Sequence, residues 1–578
     1  KMRKLVDSAM SGRILDLGEI QLKVDELRSL ANVKASPLVI ATSLDSTPDS
    51  PSILGDDRDE GHILIPFAKF RDWISQGMNC RHCRVAIKAS CISKSTYGIA
   101  TELKHTCDSP QCSLRRPNTM EPEMVLENIS PQPANTSRYA VNWRLVAATQ
   151  LFGESQKAGA IISGFLDLSS GLFRNKWWRM EEDLALEQER ITGEVVLQNL
   201  KDSIARQSLR EGVVLHNGRV PLTVSFDMGW QKKGRSHDSL SGHSLVICVS
   251  TCKVIGMQVY SKTCNKCTVY SNNGLLPANY PSHNCSKNYD GSSKGMESSS
   301  ALQMVKRIFE HDSVKTFIQE MVIDDDASTR ALLSHSLSEL AKSVVGFDWP
   351  KDSNGKNVAR SKDVGQLLLD HPVITFLADL THRIRCFGKY VFGLAMVPLS
   401  TSTCTMVDAY RLKRNFGYWL LSYHTKDFET FQAKSKAVVE HHFNNHAHCD
   451  EWCSMKNSKA TSTTALKYRC KKANKKMYED ISQILEKFTN TEKLKECHHG
   501  HSSQKNESLN TVVSRYCPKD KTYSQSTSLS GRICLAVGID SVGHEEYYER
   551  LFAGMKVRLL KHTRNQLKSM RLKRDYDR

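Results

Sequence analysis

Leu222-Thr-Val-Ser-Phe-Asp227 decides how the chain is read: it is a short β-rich run that ends in an acid. Two further runs follow, Ser244 to Val249 and Val254 to Tyr260. They are joined by Ser250-Thr-Cys-Lys253, a connection of hairpin length. A helix is expected from Gly295 to about His311. After it another β-type run, Phe317 to Ile323, ends in Asp324-Asp325-Asp326.

Three sequential strands, a helix and a fourth strand match the first half of an RNase H-like α/β fold, a mixed sheet with helices packed on it. Leu337 to Phe488 is mostly helical in pattern and far too long for a loop, so a large helical insertion is expected there. An acid-bearing helix from about Ser503 and a basic helical tail, Lys556 to Arg578, close the chain. On the N-terminal side, Ser36 to Glu60 and Arg115 to Ser137 are Pro- and Ser-containing stretches without a sustained period, and read as linkers. Tyr139 to Leu168 has the outline helix, Gly153-containing turn, helix, which fits a DNA-binding helix-turn-helix or any helical hairpin. The division is therefore 1–76, a helical region and linker; 77–137, a zinc-ribbon-like module and linker; and 138–212, the helical segment. It continues with 213–336, the first half of the α/β core; 337–495, the insertion; and 496–578, the last core helix and tail.

At 578 residues the chain is too long for one ordinary core. Its formal charge of +18 favours a polyanionic partner, because Lys and Arg that neutralise phosphates release condensed counterions. No apolar run approaches the roughly 20 residues that cross a bilayer, and Lys1 to Leu30 has no signal-peptide core, so no membrane partner is expected. A secreted, disulfide-rich protein would also explain 18 cysteines, with Asn128 and Asn135 as glycosylation acceptors. The cysteines, however, cluster in short pairs beside histidines, which suits zinc in a reducing compartment. A nuclear address is expected.

Acids at the ends of neighbouring strands matter because hard divalent cations prefer carboxylate oxygen. Two-metal phosphoryl chemistry needs about three such carboxylates converging on one point, commonly from two strands and a late helix. Asp227 and Asp324 meet the strand requirement. Gln504-Lys-Asn-Glu507-Ser-Leu-Asn510 meets the helix requirement, since Glu507 and Asn510 are three apart and share a helical face.

A resemblance now enters. Val224-Ser-Phe-Asp227-Met-Gly-Trp-Gln-Lys-Lys-Gly-Arg235, with Ser239-Leu-Ser-Gly-His243, resembles the opening of the Mutator-like transposase domain found in animal genomes. So do Ser261-Lys-Thr-Cys264-Asn-Lys-Cys267 and Asn288-Tyr-Asp-Gly-Ser-Ser-Lys-Gly-Met-Glu297. Asp324-Asp-Asp326-Ala-Ser328, Asp379-Leu-Thr-His382, and Gln504 to Asn510 followed by Cys517-Pro-Lys519 come in the family's order. The resemblance implies an RNase H-like DDE core with a helical insertion before the final Glu. It implies Asp227, Asp324 and Glu507 as ligands of two Mg²⁺ or Mn²⁺ ions. Asp326 is the alternative to Asp324, and Glu297 a possible further ligand. The implied activity is cleavage at transposon ends and strand transfer into target DNA. The alternative is a domesticated DNA-binding protein that no longer cleaves. Double-stranded DNA, both terminal inverted repeats and target, is the expected partner, with Lys232, Lys233 and Arg235 on its phosphates. Pairing two transposon ends implies a homodimer or higher homo-oligomer.

Zinc is the second theme. Cys80-Arg-His-Cys83 with Cys107 and Cys112 has the spacing of a zinc ribbon, Cys91 and His105 being the substitutes. Cys264, Cys267, His283 and Cys285 make a second tetrahedral set. In the insertion, His441-His442-Phe-Asn-Asn-His446-Ala-His448-Cys449-Asp-Glu-Trp452-Cys453, with Asp379 and with His382 brought close by the fold, forms either a third zinc site, on His446, Cys449 and Cys453, or a polar knot. Cys497-His-His-Gly-His501 is either part of the active-site rim or a solvated loop.

Overall fold

The computed structural model describes residues 38–42, 62–80, 82–110, 112, 118–120, 139–166, 168, 172, 174–210, 213, 218–231, 238–324, 328–333, 374–396, 404–450, 452–453, 469–499 and 501–576. They form two compact units.

The first unit holds strands β1 (Leu38–Thr42) and β2 (His62–Pro66), paired antiparallel, and helix α1 (Phe67–Gly77). An antiparallel sheet follows, β3 (Ile92–Tyr97), β4 (Ala100–His105) and β5 (Asn118–Met120). Phe70 and Leu103 are buried against Ile65, Phe67 and Ile74. Helices α2 (Ala140–Leu151) and α3 (Gln156–Phe165) supply the expected helix, turn, helix outline. Gly153 turns between them at φ 68°, a left-handed conformation that favours glycine. Fully buried Asn142 ties α2 to the β3–β4 turn, accepting from the Ile99 amide and donating to the Tyr97 carbonyl.

The second unit takes in most of the long helix α4 (Arg174–Ser208) and a five-stranded mixed sheet. Its strands are β6 (Val220–Trp230), β7 (Ser241–Cys248), β8 (Lys253–Ser261), β9 (Thr316–Ile323) and β10 (Thr375–Ala378), in the order β10-β9-β6-β7-β8. The β6–β7 and β7–β8 pairs are antiparallel, and β9 lies parallel to both β6 and β10. Helices α5 (Asn265–Asn272) and α6 (Gly295–Phe309) fall between β8 and β9. The period of two along β6 gives it two different faces. Leu222, Val224 and Phe226 pack with Leu200 of α4 and Ala301, Met304 and Ile308 of α6. Thr223, Ser225 and Asp227 occupy the opposite, polar face.

After β10 come helices α7 (Leu380–Ala395), α8 (Met406–Tyr423), α9 (Phe428–Lys434), α10 (Ala437–Glu440), α11 (Lys475–Thr489) and α12 (Thr491–Cys497). They close around stacked aromatic rings, Phe387 on Phe416 at 4.2 Å and Trp419 on Phe431 at 5.0 Å. Helix α13 (Gln504–Tyr516) then returns to the sheet, followed by α14 (Ser528–Val542), α15 (His544–Gly554) and α16 (Lys561–Tyr576). No described helix is long and apolar enough to cross a membrane.

Three expectations change here. Strand β6 runs three residues past Asp227, so that acid lies within the strand, not at its end. Thr375–Ala378 is a strand of the core sheet inside a span expected to be helical. Four residues are too few to display a period, and a strong helical pattern follows at once. Beyond α13 the chain adds a helix buried along most of its length, α14, ahead of the basic tail.

Candidate active site and metal centres

Strand register brings the acids together. Ser225 pairs with Val322 and Ile323 with Ala378, so Asp227 within β6 stands level with Asp324 and Asp379, the residues that directly follow the parallel strands β9 and β10. Strands in a sheet lie about 4.8 Å apart, which fixes this spacing before any side chain is considered. Helix α13 crosses the polar face of β6. Fully buried Asn506 accepts from Ser225 Oγ at 2.6 Å and donates to the Leu245 carbonyl at 3.0 Å. Asn510, one turn on, donates to Asp227 Oδ2 at 2.7 Å. Glu507, between them in sequence, is carried to the same place.

Asp227 is half-buried, and its carboxyl is pushed up to about 7. Burial is the largest cause, followed by the negative charge of Asp324; Glu507 and Asp379 add to it. Three carboxylates therefore act on a fourth, the electrostatic pattern of a site that a divalent cation would relieve. The acids are meanwhile balanced by protein donors. His382 Nδ1 lies 2.9 Å from Asp324 Oδ2, and Arg385 brackets Glu507 at 2.8 and 3.4 Å. Asp379 caps α7, accepting from the His382 amide at 2.5 Å, and its other oxygen takes Ser503 Oγ at 2.6 Å.

Behind Asp227, His243 Nε2 lies 2.9 Å from Asn510 Oδ1. Because Asn510 spends its amide on Asp227, the histidine must donate Nε2–H. Burial holds His243 down at about 4, so it is neutral at pH 7. Gly229 makes this chain of bonds possible, since a Cβ there would fall 2.4 Å from the His243 ring and 3.0 Å from Asn510 Oδ1. Gly229→Ala is accordingly expected to cost about 1–3 kcal/mol of stability, measured by urea denaturation, and to displace Asn510 from Asp227. An unchanged denaturation midpoint would show that the neighbourhood yields freely.

Glu297 is half-buried in the first turn of α6, and the charges acting most strongly on Asp227 are those of Asp324, Glu507 and Asp379. Asp326, Lys232, Lys233 and Arg235 lie outside the described residues.

Three groups of Cys and His side chains each bring four potential ligand atoms within 4.8 Å of one another. In the first, Cys80 Sγ is 3.8 Å from Cys112 Sγ, and Cys83 Sγ is 3.4 Å from Cys107 Sγ. A disulfide would require about 2.05 Å. Tetrahedral zinc, with Zn–S of about 2.3 Å, separates its sulfurs by about 3.8 Å. The Cys80–Cys83 turn is shaped by Arg84 at φ 59°, whose amide returns to the Cys80 carbonyl. His105 belongs to β4.

In the second group, His283 Nε2 lies 3.6 Å from Cys264 Sγ and 3.3 Å from Cys267 Sγ, with Cys285 Sγ 3.4 Å from Cys267. His283 Nδ1–H donates to the Pro281 carbonyl at 2.8 Å, which leaves Nε2 as the lone pair for a metal. The third group is His441, His446, Cys449 and Cys453. His446 Nε2–H donates to Asn444 Oδ1 at 3.2 Å, which turns its Nδ1 lone pair inward, 3.3 Å from Cys453 Sγ. Here the expected grouping is corrected. Asp379 and His382 stand at the acid centre, because β10 delivers them to the sheet edge, and His441 takes the fourth place. Among the described residues the cysteines are free thiols. Of the Cys497–His501 cluster, His499 Nε2–H donates to the Ala378 carbonyl at the end of β10, which places it at the rim of the acids.

Residues 61–346 match the family model of the Mutator-like transposase. Neither the search of curated proteins nor that of solved structures gave a match. The matched span contains Asp227, Asp324 and the first two thiol groups; Asp379, Glu507 and the third group lie beyond it.

Proposed function

We propose that this chain, whose residues 61–346 match the Mutator-like transposase model, is a DDE-type DNA transposase whose acid centre is Asp227, Asp324 and Glu507. The observation that carries this reading is the level placement of Asp227 in β6 and Asp324 directly after β9, with α13 bringing Glu507 to them. The strand order, with three antiparallel strands followed by two parallel to the first, supports an RNase H-like core. The donor set fits Mg²⁺ or Mn²⁺, being made of hard carboxylate oxygens. Two such ions, when bound, supply activation of the attacking oxygen and stabilisation of the leaving oxygen.

The chain's own residues do the rest. Asn510 orients Asp227 through Oδ2, and neutral His243 fixes which way the Asn510 amide points. Asp227, pushed up to about 7, holds a proton near neutrality until a cation competes for it. Asp379 ties the start of α7 to Ser503 at the start of α13, and so sets the position of Glu507. The thiol groups fit structural Zn²⁺ by ligand type and separation. Double-stranded DNA as partner, a homo-oligomer that pairs two ends, and a nuclear address belong to the same reading.

The test is cleavage of DNA bearing the terminal repeats that flank the protein's own gene, with Mn²⁺ present. Cleavage by the parent and not by Glu507→Gln is the expected result. Tight binding without cleavage by the parent would point instead to a transposase-derived DNA-binding protein.

A further inference from the structure

Helix α7 begins with polar side chains three apart: Asp379 at its cap, then His382, then Arg385. That spacing places successive side chains on one helical face. Each closes on a different part of the acid centre. Asp379 holds Ser503, His382 reaches Asp324, and the two arms of Arg385 bracket the two oxygens of Glu507.

The last of these contacts differs from the others. The Arg385 and Glu507 side chains are 52% and 43% exposed, and an ion pair so exposed is weak and readily exchanged. It also engages both carboxylate oxygens, so a cation reaching Glu507 must share them with the guanidinium. A cation among the acids would in addition repel the guanidinium. Left without its carboxylate, the planar fork is shaped to take a phosphate through the same paired donors.

We infer that Arg385 exchanges partners, holding Glu507 in the free protein and a DNA backbone phosphate once divalent cations occupy the acids. This rests on the acid-centre reading above and adds a substrate contact to it. Reciprocal linkage follows: DNA takes Arg385 away from Glu507, so DNA tightens cation binding and cations tighten DNA binding by the same factor.

The experiment is a Mn²⁺ titration of the zinc-loaded full chain, followed by electron paramagnetic resonance, with and without a short random-sequence DNA duplex. Parent, Arg385→Ala, Arg385→Lys and Asp227→Asn are compared. In the parent, duplex should tighten Mn²⁺ binding by about fivefold. Arg385→Ala should bind Mn²⁺ about fivefold more tightly than the parent without DNA and lose most of the gain from DNA. Arg385→Lys, which keeps the charge but not the fork, should retain part of that gain. If Asp227→Asn abolishes Mn²⁺ binding while Arg385→Ala matches the parent in both conditions, the exchange is overturned and the acid centre stands. If the parent binds no Mn²⁺, or Asp227→Asn binds it as the parent does, the acid centre falls and the exchange with it.

Discussion

Asp227→Asn should lower Mn²⁺-dependent cleavage by about a thousandfold or more and yet make the metal-free chain more stable near neutral pH. The two effects have one cause. Asp227 sits among Asp324, Glu507 and Asp379, and burial together with their charges lifts it to about 7. Its ordinary value, the one it regains on unfolding, is 3.8. Between those values the folded chain holds a proton that the unfolded chain has released. Stability from this group is therefore greatest at or below about pH 4 and falls as pH rises towards 7. The whole loss is at most about 4 kcal/mol. Asparagine carries no charge to desolvate, and its side-chain oxygen can still accept from Asn510. Urea denaturation of the zinc-loaded chain in buffer free of Mg²⁺ and Mn²⁺, from pH 5 to 8, checks this. The parent should weaken across that range, with the variant showing a smaller slope and a higher midpoint at pH 7.5. Equal slopes would mean that the acids do not repel one another as described.

The second large effect concerns the first thiol group. Around it a short apolar set is buried, Phe70, Ile87, Ile92, Ile99 and Leu103. Structural zinc supplies about 10–16 kcal/mol in small finger peptides, enough to decide whether a small module folds. Cys80→Ser with Cys83→Ser should lower zinc content by about one ion per chain and unfold β3 and β4. Elemental analysis reads the first outcome, and hydrogen exchange at Ser93 to Lys104 the second. The sheet around β6 should keep its protection, because its core rests on Leu222, Val224 and Phe226. Unchanged zinc content would remove the ribbon from this region.

Much of this site is legible in the chain itself. Strands β6 and β9 are long enough to show as β-type runs, and Asp227 and Asp324 stand out against them. Glu507 is legible because Asn510 lies three residues on, and both reach the acids. Asp379 reads differently in sequence because β10 has only four residues. Once that strand is missed, Asp379 and His382 drift to the wrong metal group. Arg385 leaves no local trace at all, since its partner is 122 residues away. His441 sits beside His442, and only the fold separates them. His442 lies 3.2 Å from Asp408, while His441 Nδ1 is 3.3 Å from Cys449 Sγ. Helix α14 is buried along nearly its whole length, and a helix apolar on every side has no amphipathic period to read.

The most direct test of the acid centre is anomalous diffraction from crystals soaked in Mn²⁺, recorded with DNA bound. Two peaks about 3.5–4 Å apart, ligated by Asp227, Asp324 and Glu507, are the expected result. Fully soaked crystals with no manganese at these three carboxylates would contradict it.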